Sequence, residues 1–167
     1  MHFVHYRGTG MRQPYPLLLL HGWPGSFLEF TKAAPLLVKG IEGKPGFDLV
    51  VPSLPGFVFS DAPKQEGVHY RVIARRMHQL MNELGYQKYG VTGGDWGWLI
   101  AIAMAQKHPE SVVKLLLGSP VLGQLPGKGR NEEEQKYLTQ NAELQRSGRA
   151  YYQIQLTKPQ TLAYSMQ

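Results

Sequence analysis

Cysteine is absent from the 167 residues. That excludes disulfides, thiolate metal sites and a cysteine nucleophile. Long apolar runs are absent too. The longest, Trp98 to Ala105, is eight residues, whereas a membrane-spanning helix needs about 20. No charged-then-apolar leader opens the chain; MHFVHYRG reads as the middle of a strand. Nothing here fixes the compartment. Charged residues are sparse, at 18%, and the balance is +6 with a pI near 9.6. The basic residues are scattered, the tightest pair being Arg75-Arg76, and no stripe alternates with aromatics. A solvated surface is therefore expected rather than a nucleic-acid footprint. The glycines have no period, which excludes a fibrous repeat.

What is present is a packable chain, 43% hydrophobic, with 19 glycines and 12 prolines to make tight turns. Phe3–Arg7 alternates like a strand. Leu17–Leu20 and Asp48–Val51 are short apolar strands of the kind buried on both faces. Phe27–Lys39 reads as a helix with a break at Pro35. Val72–Leu84 carries apolar residues at helical spacing, with Gly85 past its end. Lys88–Thr92 is a third strand, and Trp96–Lys107 is apolar enough for a helix buried all round. Val112–Leu117 is a further strand. The alternation predicts an α/β fold with a mostly parallel sheet and flanking helices.

After Pro120 the pattern changes. GQLPGKGR is expected to be a flexible connection. Asn131 then caps a helix that has Glu132, Glu133 and Glu134 in its first turn, Arg146 in its last and Gly148 beyond. A second helix opens at Pro159, with Thr157 as its cap. Residues 1–122 are thus expected to form a core and 123–167 a helical insertion over it.

Two motifs carry chemistry. In Tyr89–Gly97, YGVTGGDWG, a strand ends, glycines follow, and an apolar helix begins. This is the nucleophile-elbow pattern with Asp95 at the reactive position. The helix N-terminus favours an anion there. An ionised carboxylate attacks a saturated, electrophilic carbon without needing a base, and the resulting alkyl ester must then be hydrolysed. An ordinary helix cap is the competing reading of Asp95. The other motif is Leu17–Gly25, LLLLHGWPG, a buried strand ending in HGxP. The backbone N–H groups of Trp23 and Trp96 would make an oxyanion hole. Gly22 and Pro24 shape the loop, and His21 is read as its hydrogen-bonding organiser rather than a base. In GRAYYQIQLTKPQT, Tyr151 or Tyr152 is a candidate proton donor, with aromatic packing as the alternative. His2, His5, His69, His78 and His108 all stand at positions that do not suit a base.

HGWPGSFLEF, PSLPGFVFSD, GGDWGWLIA and the YxxIQxTKPxT pattern together resemble the epoxide hydrolases of the α/β-hydrolase fold, in the microsomal and juvenile-hormone branch, over nearly the whole chain. The resemblance implies Asp95 as nucleophile and Trp23 and Trp96 as the oxyanion hole. It implies Tyr151 as a proton donor in a lid that begins in 123–167. The implied substrate is a small apolar epoxide opened to a vicinal diol, with no metal and no cofactor. It also implies a partial fold: the base histidine, its acid partner and a second tyrosine are expected beyond Gln167, and a membrane anchor before the first strand. The family's Gly-x-Gly-x-Ser is here Gly56-Phe57-Val58-Phe59-Ser60, so that loop is expected to be reshaped.

Two alternatives stay open. A haloalkane-type dehalogenase uses the same Asp, although a halide needs no proton donor such as Tyr151. A non-catalytic fragment would expose the leucine-rich edge of Val112–Leu117 and self-associate through it.

Overall fold

Leu17–Leu20 lacks alternation because both of its faces are covered. In the computed structural model, which describes residues 1–9, 13–41, 44–118 and 131–165, the run belongs to a central strand of a five-stranded sheet. The strands are β1 (Phe3–Tyr6), β2 (Tyr15–Leu20), β3 (Phe47–Pro52), β4 (Tyr89–Gly93) and β5 (Val112–Leu117), in the order β1-β3-β2-β4-β5. β1 pairs antiparallel with β3, and the other pairs are parallel. Leu18, Leu20 and Val50 face one layer with Met77, Met81, Ile100 and Met104 of α2 (Tyr70–Glu83) and α3 (Trp96–Lys107). Leu19, Leu49 and Val51 face the other, against Ala34 of α1 (Ala34–Lys39) and the rings of Phe27 and Phe30. Each strand therefore needs apolar residues at consecutive positions.

The mostly parallel α/β arrangement follows the sequence reading, and three local expectations do not. Pro35 does not break a helix. Phe27–Phe30 is a short 3₁₀ turn, and Pro35 sits in the first turn of α1, where its missing N–H costs nothing. α3 is not buried all round: Ile100, Ala101 and Met104 are buried, but Trp96 at its start is 42% exposed and Gln106 and Lys107 face solvent. β5 presents Val113, Leu115 and Leu116 to solvent and, among the described residues, pairs only with β4.

Two further features fix this layer. α2 stops where Gly85 takes φ 87°, and the N–H of Tyr86 returns to the Met81 carbonyl at 2.9 Å. Asp48 at the start of β3 ties β1 to the loop after α2. It accepts from the Gly8 N–H at 2.7 Å and the Tyr86 hydroxyl at 2.7 Å, and pairs with Arg7 at 3.5 Å. Burial opposes its charge, yet these donors and His5 together hold its carboxyl below the ordinary range. Tyr86 is pushed the other way, up to about 12, by burial and by Asp48.

The chain divides into two compact units, Met1–Val121 and Leu122–Gln167. In the second, Asn131 caps α4 (Glu132–Glu143) by accepting from the Glu134 N–H at 2.8 Å. The helix does not run straight to Gly148. A π turn over Leu144–Gly148 holds Arg146, and α5 (Ala150–Thr157) follows. Thr157 is the last residue of α5, its hydroxyl bonded to the Gln153 carbonyl at 2.6 Å, and does not cap α6 (Pro159–Ser165). The connection 123–130 lies outside the described residues. No described helix is long and apolar enough to cross a membrane.

Candidate active site

β4 ends at Gly93 and α3 begins at Trp96, so Gly94 and Asp95 must turn the chain within two residues. Asp95 makes that turn with φ 51° and ψ −120°, a conformation that costs a non-glycine residue on the order of 1–3 kcal/mol. The turn closes only because its flanks are bare. A Cβ on Gly93 would lie 2.6 Å from the Gly97 carbonyl carbon, and one on Gly97 would lie 2.2 Å from the Leu20 carbonyl oxygen. Helix, turn and central strand are thus in backbone contact, and Asp95 is carried to the C-terminal ends of β2 and β4.

The carboxylate does not cap its own helix. The Asp95 backbone carbonyl takes the first helical bonds, from Trp98 N–H at 3.1 Å and Leu99 N–H at 3.4 Å. The side chain reaches across to the loop after β2, where Oδ1 accepts from the Trp23 N–H at 2.8 Å. Gly22 makes room for it: a Cβ there would meet Asp95 Cβ at 2.5 Å and Oδ1 at 2.6 Å. A cis peptide bond joins Trp23 to Pro24. His21 lies behind the loop, fully buried. Its Nδ1 is 3.1 Å from the Gly22 carbonyl, and its Nε2 accepts from the Leu54 N–H at 3.0 Å. Burial lowers its pKa, outweighing the Gly22 bond. The ring is occupied in holding two loops together.

Gly22, Trp23, Pro24, Gly25, Glu29, Gly94 and Asp95 line an open cavity of about 500 Å³. No histidine is among them. His78 and His108 stack at 3.6 Å between α2 and the end of α3, and His2 pairs with Ser53 at 2.9 Å. Among the described residues no cluster of His, Cys, Asp or Glu has the arrangement of a metal site. Trp96 opens α3, so its N–H has no intrahelical acceptor. Tyr151 and Tyr152 stand in the first turn of α5 in the second unit, each partly exposed.

Glu29 escaped the sequence reading. It lies in what reads as a helix surface, yet its pKa is raised, first by burial of the carboxyl and then by the negative charge of Asp95. The one sequence cue is its i,i+4 spacing from Gly25. The loop at 56–60 shows a second surprise: Val58, where the resembled family pattern has glycine, takes φ 47°.

The signature of the alpha/beta hydrolase fold family matches residues 15–153. The chain belongs to that family. Within it, the similarity runs to epoxide hydrolases. A putative epoxide hydrolase from Stigmatella aurantiaca is 38% identical over 99% of this chain and 39% of its own length. Epoxide hydrolase 1 of Oryctolagus cuniculus is 34% identical over 99% of this chain and 42% of its own. Juvenile hormone epoxide hydrolase from the silkworm Bombyx mori superposes with a TM-score of 0.72 at 36% identity, over 95% of this chain and 37% of that one. The Aspergillus niger epoxide hydrolase gives 0.80 at 28% identity, over 98% and 44%. The chain spans about two fifths of the length of the curated relatives it matches.

Proposed function

We propose that this α/β-hydrolase chain carries the nucleophilic half of an epoxide hydrolase site, opening a small apolar epoxide to a vicinal diol through an alkyl ester on Asp95. The observation that carries the reading is the 2.8 Å bond from the Trp23 N–H to Asp95 Oδ1. A carboxylate that served only as a cap would bind its own helix N–H groups. This one is turned away from them, and Oδ2 accepts no bond among the described residues.

Oδ2 attacks an epoxide carbon, the ring C–O bond breaks, and the ring oxygen takes a proton from Tyr151, the residue to which the family resemblance gives this role. Water then adds to Cγ of the ester. Negative charge develops on Oδ1, already bonded to Trp23, with the Trp96 N–H as second donor. Collapse breaks the bond between Cγ and the alkyl oxygen, which leaves as the diol hydroxyl with one proton of the water, while the other water proton restores the Tyr151 phenolate and leaves Asp95 a carboxylate. Gly22, Pro24 and His21 keep the loop in place for both steps. No metal, cofactor or nucleic acid enters this scheme. The exposed leucines of β5 make self-association through that sheet edge part of the same proposal.

Intact-mass and peptide analysis after incubation with a reactive epoxide tests the reading. A single adduct on the Asp95 peptide is expected, absent in Asp95→Asn. Halide release from a matched haloalkane, with no adduct or diol from the epoxide, would replace it with the dehalogenase reading.

A further inference from the structure

α2 opens with two arginines that its own helix does not favour. Arg71 stands in the first turn, at the positive end of the helix dipole, where an acid is the favoured residue and none is present. Arg75 lies four residues on, so two like charges share one face. No Asp or Glu stands three or four residues from either. Among the described residues neither arginine enters an ion pair, and neither does Lys107 at the end of α3. All three line one cavity of about 390 Å³ between α2 and α3, together with His69 and His108. No acid lines it, and it shares no residue with the cavity at Asp95. Ala74 and Ala103 give it a floor of small, buried side chains, which leaves the two helices room for a groove.

The surroundings hold some of these groups in place. His69 Nδ1 accepts from the Arg71 N–H at 3.3 Å, which puts the proton of the neutral ring on Nε2. The Arg71 guanidinium lies 5.4 Å from the centroid of the Tyr70 ring, and a guanidinium stacked on its face keeps its edge for donating. His108 stacks on His78 at 3.6 Å, with Glu110 Oε1 3.7 Å from its Nδ1. The neighbouring acid is therefore engaged with His108 and not with the arginines or Lys107. Three cations around one small cavity repel one another, and packing alone gives no reason to gather them there. We propose that this α2–α3 groove binds a phosphoryl group, with Arg71 and Arg75 donating from one wall and Lys107 from the other. Arginine presents paired N–H donors that match phosphate oxygens, and lysine adds a point charge. A dianionic phosphate monoester answers the excess charge better than a carboxylate does. The volume lies in the lower part of the small-molecule range of about 300–1,000 Å³. The site stands apart from the Asp95 chemistry and does not depend on it.

The test titrates the isotope-labelled 167-residue chain at physiological ionic strength and follows side-chain signals by NMR. One arm uses glycerol 3-phosphate as a soluble monoester, with glycerol as its uncharged control. The other uses phosphatidylcholine vesicles with and without phosphatidic acid, which carries the same monoester on a lipid. Saturable shifts of the Arg71, Arg75 and Lys107 signals are expected with the phosphoryl probe and not with its control. Arg75→Gln should weaken binding about tenfold, the scale of one charge-assisted contact. Lys107→Gln should do the same, and Arg75→Lys should keep part of the affinity. Arg76→Gln removes the same charge from the next residue, which lines a different cavity, and should change binding by no more than about twofold. Binding to the vesicles alone, lost in Arg75→Gln, assigns the phosphoryl group to a lipid; binding of the soluble ester assigns it to a free metabolite. Equal weakening by Arg75→Gln and Arg76→Gln would reveal a diffuse positive surface and overturn the site. Shifts that saturate with neither probe would overturn it as well.

Discussion

Gly22→Ala is the most informative single change, because its effect follows from distances alone. The new methyl group would stand 2.5 Å from Asp95 Cβ, 2.6 Å from Oδ1 and 2.9 Å from Cγ. Ordinary van der Waals contact begins near 3.4 Å, so one partner must retreat by nearly 1 Å. Asp95 cannot yield by a simple rotation. Its Cβ is among the atoms struck, and its backbone is locked by the Gly93–Gly97 and Gly97–Leu20 contacts. The movement therefore falls on the loop, and the 2.8 Å bond between Trp23 and Oδ1 breaks. Loss of one oxyanion donor slows an ester step by about 10²–10³-fold, and overpacking costs about 1–3 kcal/mol of stability. The assay is the rate of adduct formation and loss on Asp95, read beside a thermal melt. Adduct loss slowed by two orders of magnitude, with a lowered but still cooperative melt, is expected. Wild-type rates for both steps in a folded Gly22→Ala chain would refute the argument that this loop is built around the Asp95 carboxylate.

Other expectations follow from the same geometry. Val58→Gly should raise stability by about 0.5–1 kcal/mol in chemical denaturation, since a β-branched residue at φ 47° carries roughly 1–2 kcal/mol of strain and glycine gives back part of that in chain entropy; a loss would show that Val58 makes a compensating contact. Asp48 has its carboxyl held below the reference value of 3.8 in the fold, so its contribution is present above that pH and is lost as pH falls through the lower folded value. Asp48→Asn should therefore weaken the chain at neutral pH and flatten its stability profile below about pH 4; an unchanged acid limb would contradict the network. Leu116→Lys, at a position 71% exposed on the β5 edge, should reduce concentration-dependent association in sedimentation, whereas unchanged association would move the contact elsewhere.

The parts of the fold most legible in the sequence are those where one residue type has one physical use. Glycines at 93, 94 and 97 around an aspartate announce a sharp strand-to-helix turn, and the structure bends there. The unbroken leucines of β2 announce a strand covered on both faces. Ambiguity enters where a residue has two uses. Pro35 both ends and begins helices, and only the 3₁₀ turn before it decides which. Thr157 caps helices and also bonds back into them, so α5 was hidden behind an expected cap. The family's glycine pattern at 56–60 is interrupted by Val58, but the backbone keeps its left-handed turn there, because the loop's bonds, among them Ser60 hydroxyl to Ser53 carbonyl at 2.7 Å, outweigh one unfavourable angle. Glu29 was invisible for a different reason. Its setting depends on a distance between a loop and a 3₁₀ turn, and periodicity carries no record of distance.

Heavy-oxygen water gives the most direct test of whether the Asp95 carboxylate bonds to the substrate. If the ester forms and water attacks Cγ, a single turnover in labelled water will release unlabelled diol and leave the heavy oxygen in the Asp95 peptide. Label in the first diol with none in that peptide would mean that water attacks the epoxide directly, and the carboxylate would then be no nucleophile.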